Sequence, residues 1–222
     1  MTHHPGNCTC CIIPPKMLRL LADAACDDTD RCRLLDQAEL SAHLRGQRSI
    51  APVVLSIAPG KKHRSVYDAA TQSALPGTLV RDEGAAAVAD ADANQAYDGA
   101  GLTYDFFRKI FKRNSIDGKG MRLDSTIHYQ QQFNNAFWNG QQMVYGYGDG
   151  NLFMGFTDCI DVIAHELTHG LIQYAVPGGL NYEGQSGALN ESIADVFGSV
   201  VKQWSLRQSS HRAFLVDRRR TR

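Results

Sequence analysis

His165-Glu166-Leu167-Thr168-His169 sets two imidazoles four residues apart, with a carboxylate directly after the first. On a helix, positions i and i+4 share one face, so both rings can reach one ion. Zinc held in this way lowers the pKa of its water to about 7, and a neighbouring carboxylate can take the proton as the water attacks a carbonyl. Glu166 fits that role. The pentapeptide alone also arises by chance on unrelated surface helices, so the reading needs a second element.

That element is Gly187-Ala-Leu-Asn-Glu191-Ser-Ile-Ala-Asp195. On a second, antiparallel helix, Glu191 is a third zinc ligand. Two neutral histidines and one carboxylate leave a coordination position open for water, as catalysis requires. Asp195, four residues on, shares the face of Glu191 and is placed to accept the outer N–H of a ligating histidine. Ile193, Val196, Phe197 and Val200 read as the apolar face beside these acids, which argues against a merely solvated acidic stripe.

The periodicity predicts the elements that must position these residues. Asp161 to Tyr174 and Gly187 to Trp204 read as the two helices. Ser65 to Tyr67, Thr78 to Val80, Met121 to Tyr129 and Met143 to Tyr147 read as strands, with Gln130 to Gln142 between the last two. Ala85 to Lys112 reads as a long helix broken near Asp98-Gly99-Ala100-Gly101. Leu18 to Leu44 reads as short helices, and the Pro/Gly-containing, basic stretch from Ile50 to Lys62 as an exposed linker.

The chain has 222 residues, 43% of them hydrophobic and 21% charged, with 23 basic and 23 acidic side chains. This is globular composition with ample material for a core. A balanced charge gives no reason to expect nucleic acid or an anionic membrane surface as partner. There is no run of apolar residues long enough for a membrane span and no standard secretory signal. Five of the six cysteines (Cys8, Cys10, Cys11, Cys26 and Cys32) lie near the start, with Cys159 far from them. That distribution is unlike a disulfide framework, and Cys8-x-Cys10-Cys11 lacks zinc spacing, so unpaired thiols are the expectation.

Taken together, His165-Glu166-x-x-His169 and Gly187-Ala-x-Asn-Glu191-x-x-x-Asp195 resemble the thermolysin family of neutral metallopeptidases. Asn134-Asn-Ala136-Phe-Trp138-Asn-Gly140 resembles that family's substrate-edge segment, and Met143-Val-Tyr-Gly with Gly148-Asp-Gly150 the turn after it. The resemblance runs from about Ser65 to Trp204. It implies an α+β fold, a thermolysin-like zincin N-terminal lobe with a mixed, mostly antiparallel sheet and two zinc-bearing helices. It also implies zinc on His165, His169 and Glu191, Glu166 as general base and Tyr182 as an oxyanion donor, with Asn135 and Ala136 binding the substrate backbone.

Ile12-Ile-Pro14-Pro15-Lys-Met-Leu18 resembles the short inhibitory prosegment of the protealysin-like branch. The resemblance thus divides the chain into a prosegment (residues 1–60), a catalytic lobe (61–204) and an atypical basic tail (205–222). The implied activity is zinc-dependent hydrolysis of peptide or protein substrates on the amino side of large apolar residues, with the prosegment as inhibitor, and secretion or, failing a leader, a cytoplasmic location.

Departures from the family pattern set further expectations. The family continues past the second helix into a helical lobe with a catalytic histidine and arginine. Here the stretch from Arg207 to Arg222 holds six arginines and one acid. His211 does not match the missing histidine. The expectation is therefore a truncated or frame-shifted chain lacking that lobe, with a second outcome of a remnant that binds zinc or peptide without turnover. A non-proteolytic zinc hydrolase leaves the Asn-Asn-Ala-Phe-Trp segment unexplained. Asp161 matches a family calcium ligand, but Lys202 stands where a second acid is needed, which disfavours calcium on charge grounds.

Overall fold

A computed structural model describes residues 13, 15–47, 61–150, 155–177, 179–180 and 184–208, without the side chains of 43–47. The chain opens with α1 (Pro15–Ala24) and α2 (Asp28–Gln47). Proline is at home in a first helical turn, where its missing N–H has no intrahelical partner to lose. The pair closes over its own small core of Ile13, Leu18, Ala22, Leu34 and Ala38.

The rest is β1 (Arg64–Asp68), β2 (Thr78–Arg81), α3 (Ala91–Phe111), β3 (Leu123–Tyr129), β4 (Ala136–Trp138), β5 (Met143–Gly146), α4 (Ile160–Ala175) and α5 (Gly184–Ser205). The strands form one sheet in the order β2-β1-β3-β5-β4. β1 and β3 pair in parallel, as do β3 and β5, while β2 and β4 join antiparallel at the edges. The expected antiparallel character is thus confined to the sheet's two margins. β4, inside the stretch left without an element, is too short to show an alternating pattern.

α3 corrects a second expectation. It runs unbroken through Asp98-Gly99-Ala100-Gly101. A Cβ on Gly99 would lie 2.2 Å from Ile163 Cδ1, and one on Gly101 2.3 Å from the Arg64 guanidinium. These glycines let α4 and β1 approach the helix axis; they are contact positions, not breaks. Asp90 caps the helix by accepting from the backbone N–H groups of Asp92 and Ala93, and Lys112 ends it in the left-handed region at φ 57°.

The main core lies between the sheet and helices α3 and α4. It includes Tyr97, Leu123, Ile127, Trp138, Met143, Tyr145, Ile163 and Leu167, all buried. Each such side chain contributes about 1.5–3 kcal/mol through removal from water. A second cluster, of Phe106, Phe107, Ala164 and Val201 with Phe197 and Trp204, fixes α5 against α3 and α4.

The buried face of α5 differs from the expected one. Gly187, Asn190, Ala194, Gly198 and Val201 face inward, whereas Val196 and Val200 are exposed. Small residues win the inner face because α5 packs tightly on α4: a Cβ on Gly198 would stand 2.7 Å from the Asp161 carbonyl oxygen. Cysteine pairing is corrected as well. Cys159 is disulfide-bonded, while Cys26 and Cys32 are free and exposed. Cys8, Cys10, Cys11 and the tail from 209 lie outside the described residues.

Candidate metal centre

α4 carries His165, Glu166 and His169 on its inner side, all buried. Buried imidazoles and a buried carboxylate require partners, because unpaired polar groups in an apolar interior are costly. Here the partners are one another and α5. His165 Nε2 lies 3.0 Å from His169 Nε2. Glu191 places Oε2 3.3 Å from His165 Nε2 and Oε1 3.7 Å from His169 Nε2.

Ligand atoms about 2.0–2.2 Å from a tetrahedral zinc stand roughly 3.3–3.5 Å apart. The three separations lie around that value, so the donor set fits one zinc ion. The carboxylate of Glu166 also offers an atom close to both histidines, but its Oε2 accepts from the backbone N–H of Trp138 at 2.7 Å. Glu191 is therefore the better ligand, and Glu166 lies beside the donor set with one oxygen held by β4.

The outer ring nitrogens are also occupied. Asp195 Oδ1 lies 2.9 Å from His165 Nδ1. Asn190 Oδ1 lies 2.8 Å from His169 Nδ1. Both oxygens accept a ring N–H, which turns the two Nε2 atoms inward. Burial disfavours the charged form of His165, but hydrogen bonds to Asp195 and Glu191 and the field of Glu166 outweigh it and raise its pKa to about 9. Zinc on His165 Nε2 would displace a proton from that nitrogen.

Asn190 is the residue that sequence reasoning missed. It lay inside the quoted motif without a role; its inward face was readable from its spacing of four residues before Ala194.

Asn135 and Ala136 lie at the start of β4, away from the histidines in sequence. Both are buried. The Asn135 amide is engaged with the N-terminal helical pair: its Nδ2 donates to the Ile13 carbonyl at 3.2 Å and to Ser41 Oγ at 2.9 Å, and its Oδ1 accepts from Ile13 N at 3.3 Å. Tyr182 lies outside the described residues. At the far end of α4–α5, Lys202 Nζ stands 2.7 Å from Asp161 Oδ2.

Comparison with known proteins agrees with this architecture. The family model described as thermolysin metallopeptidase, catalytic domain, matches residues 31–173, and that described as thermolysin metallopeptidase, alpha-helical domain, matches 178–219. The chain belongs to the thermolysin metallopeptidase family. The second match means that residues 178–219, α5 among them, correspond to part of the family's alpha-helical domain.

An extracellular metalloprotease of Pectobacterium carotovorum subsp. carotovorum is 45% identical over 204 residues, 92% of this chain and 58% of the relative. Protease PrtS of a Photorhabdus species is 52% identical over 151 residues, 68% of this chain and 40% of the relative. Among solved structures, the precursor of protealysin, a metalloproteinase from Serratia proteamaculans, superposes with a TM-score of 0.75 at 44% identity, covering 89% of this chain and 56% of that one. The chain spans little more than half the length of the first of these relatives.

Proposed function

We propose that this chain is a zinc metalloendopeptidase in which His165, His169 and Glu191 hold the metal. The observation that supports it is the convergence of two imidazoles and one carboxylate from α4 and α5 to separations of 3.0–3.7 Å. Zinc, when bound, supplies a Lewis acid that polarises the peptide carbonyl and acidifies water.

The chain's own residues perform the remaining tasks. Glu166 accepts the proton of the attacking water on its carboxylate and returns it to the departing amine nitrogen as the C–N bond breaks. Tyr182 donates to the developing oxyanion. β4, at the sheet margin, offers an edge along which an extended peptide can pair, with Asn135 and Ala136 bonding its backbone. Substrates are peptides or proteins cut on the amino side of large apolar residues. We further infer that residues 1–60 are an inhibitory prosegment, since Ile13 engages Asn135 through both its backbone groups. Secretion accords with the name of the Pectobacterium relative; no helix among the described residues is long and apolar enough to cross a membrane. At Asp161, the Lys202 ammonium replaces a calcium ion.

The test is metal content and peptidase activity of the purified chain beside Glu166→Ala. Losing a general base costs about 100- to 10,000-fold in rate. Bound zinc with activity lost in the variant supports the proposal. Bound zinc with no turnover in either protein assigns the alternative, a remnant that binds without hydrolysis. Absence of zinc sinks the proposal and leaves a remnant that binds peptide alone.

A further inference from the structure

Another histidine lies beside the start of α3, among residues the zinc chemistry does not use. His128, in β3, directs Nδ1 to Asp68 Oδ1 at 3.1 Å and Nε2 to Asp92 Oδ2 at 3.1 Å, with Asp90 Oδ2 3.7 Å from the same Nε2. Each partner is anchored by its other contacts. Asp90 Oδ1 accepts from the N–H groups of Asp92 and Ala93, as the cap of α3. Asp92 Oδ1 accepts from Thr157 Oγ1 at 2.7 Å. Asp68 accepts from Ala70 N at 2.7 Å. The atoms left over, one nitrogen and two carboxylate oxygens, lie within 4.8 Å of one another.

We propose that His128 Nε2, Asp90 Oδ2 and Asp92 Oδ2 form a second site for a divalent transition-metal ion, separate from the α4–α5 centre. Two features set these residues apart from ordinary surface carboxylates. One is the carboxylate behind the ring: with the Nε2 proton displaced by an ion, Asp68 Oδ1, 3.1 Å from Nδ1, accepts the proton that remains, the carboxylate–histidine arrangement that orients metal-binding imidazoles. The other is charge. Three carboxylates meet here, and among the described residues none of them pairs with a lysine or arginine; the imidazole is their only cationic partner.

Separations of 3.1 and 3.7 Å match neighbouring ligands on an ion with bonds of about 2.1 Å. One imidazole with two carboxylates suits borderline ions such as Mn²⁺, Co²⁺ or Zn²⁺ better than calcium, which takes oxygen ligands alone. Asp92 and His128 also line a cleft of about 380 Å³ shared with Tyr147 and Asp149, through which water can complete the coordination. Because Asp68 ends β1, His128 lies near the end of β3 and Asp90 and Asp92 stand at the cap and first turn of α3, an ion here would tie the ends of β1 and β3 to the start of α3.

The full chain, stripped with chelator, is titrated with Co²⁺ by calorimetry and d–d absorption. The wild-type protein binds two equivalents, and one remains in His165→Ala/His169→Ala. Adding Asp92→Asn to that double variant removes the remaining equivalent, together with the rise in melting temperature that Co²⁺ gives it. A single equivalent in the wild type that vanishes in the double histidine variant overturns the proposal. So does a second equivalent that survives Asp92→Asn. Asparagine preserves the side-chain shape and keeps an oxygen that can accept from Thr157 Oγ1, while the Asp90 cap of α3 is untouched, so Asp92→Asn is chosen to fold; if it does not, His128→Gln takes its place, and the wild-type stoichiometry still decides.

Discussion

Asn190 shows how one buried amide settles the orientation of a ligand. Its Oδ1 can only accept, so His169 Nδ1 must carry the proton and Nε2 the lone pair. Replacing it with alanine removes the acceptor inside the α4–α5 contact and frees the ring. Zinc affinity of Asn190→Ala is expected to fall about 10- to 100-fold, read by chelator competition; an unchanged affinity would show that packing alone orients the ring. His128 makes a different prediction, for the metal-free chain. Hydrogen bonding to Asp92 and the nearby Asp68 and Asp90 raise its pKa, against an opposing contribution from burial. A pKa raised on folding means the protonated ring stabilises the native state. That stability is fully present below the unfolded value of about 6.5 and is lost as pH rises through the folded value. Asp92, lowered chiefly by its bond to His128, contributes in the acidic range: stability present above its unfolded pKa and lost as pH falls through its folded one. His165, raised to about 9, gives a decline of the same sign in both proteins, so chemical denaturation above about pH 6.5 should show a steeper loss of stability in the wild type than in His128→Gln, and equal profiles would remove His128 as a contributor.

At the scale of elements, the site depends on how closely two helices approach. A methyl group on Gly198 would lie 2.7 Å from the Asp161 carbonyl and 3.3 Å from His165 Cβ. Gly198→Ala must push α5 away from α4 and carry Glu191 with it. We expect a loss of about 1–3 kcal/mol from overpacking, seen in denaturant titration, together with weaker zinc binding. Stabilisation, as helix propensity alone would give, would refute the close-contact account. The zinc helices were legible because His165 and His169 obey a helical period and sit in an apolar run. Glu191 and Asp195 were legible because acids four residues apart share a face. The inner face of α5 was not legible. Apolar side chains usually mark the core, yet here Gly187, Ala194 and Gly198 pack inside while Val196 and Leu189 are exposed. The continuity of α3 was hidden for the same reason, since Gly99 and Gly101 look like breakers until Ile163 and Arg64 are set against them. β4 shows a third limit: its three residues are held by β5 and by Glu166, contacts distant in sequence.

Across the whole molecule, the N-terminal helical pair and the catalytic lobe meet on the segment that leads into β4. Ile13 and Ser41 hold Asn135, Gln37 Nε2 donates to the Gln132 carbonyl at 2.6 Å, and Leu40 packs on the Tyr129–Phe133–Phe137 cluster. This placement makes the pair a competitor for any peptide that would bond Asn135. Its hold depends on a small core of its own, in which Leu18 is fully buried. Leu18→Ala opens a cavity there at a cost of about 2–5 kcal/mol, and the change lies outside the zinc helices and β4. If the pair is inhibitory, the variant binds a peptide substrate analogue more tightly than the wild type and, where turnover exists, works faster on it, with zinc content unchanged. Equal peptide affinity in a variant whose N-terminal helices have demonstrably loosened, by hydrogen exchange of α1 and α2, would mean that Ile13 shields Asn135 without governing access, and the inhibitory reading of residues 1–60 would fall.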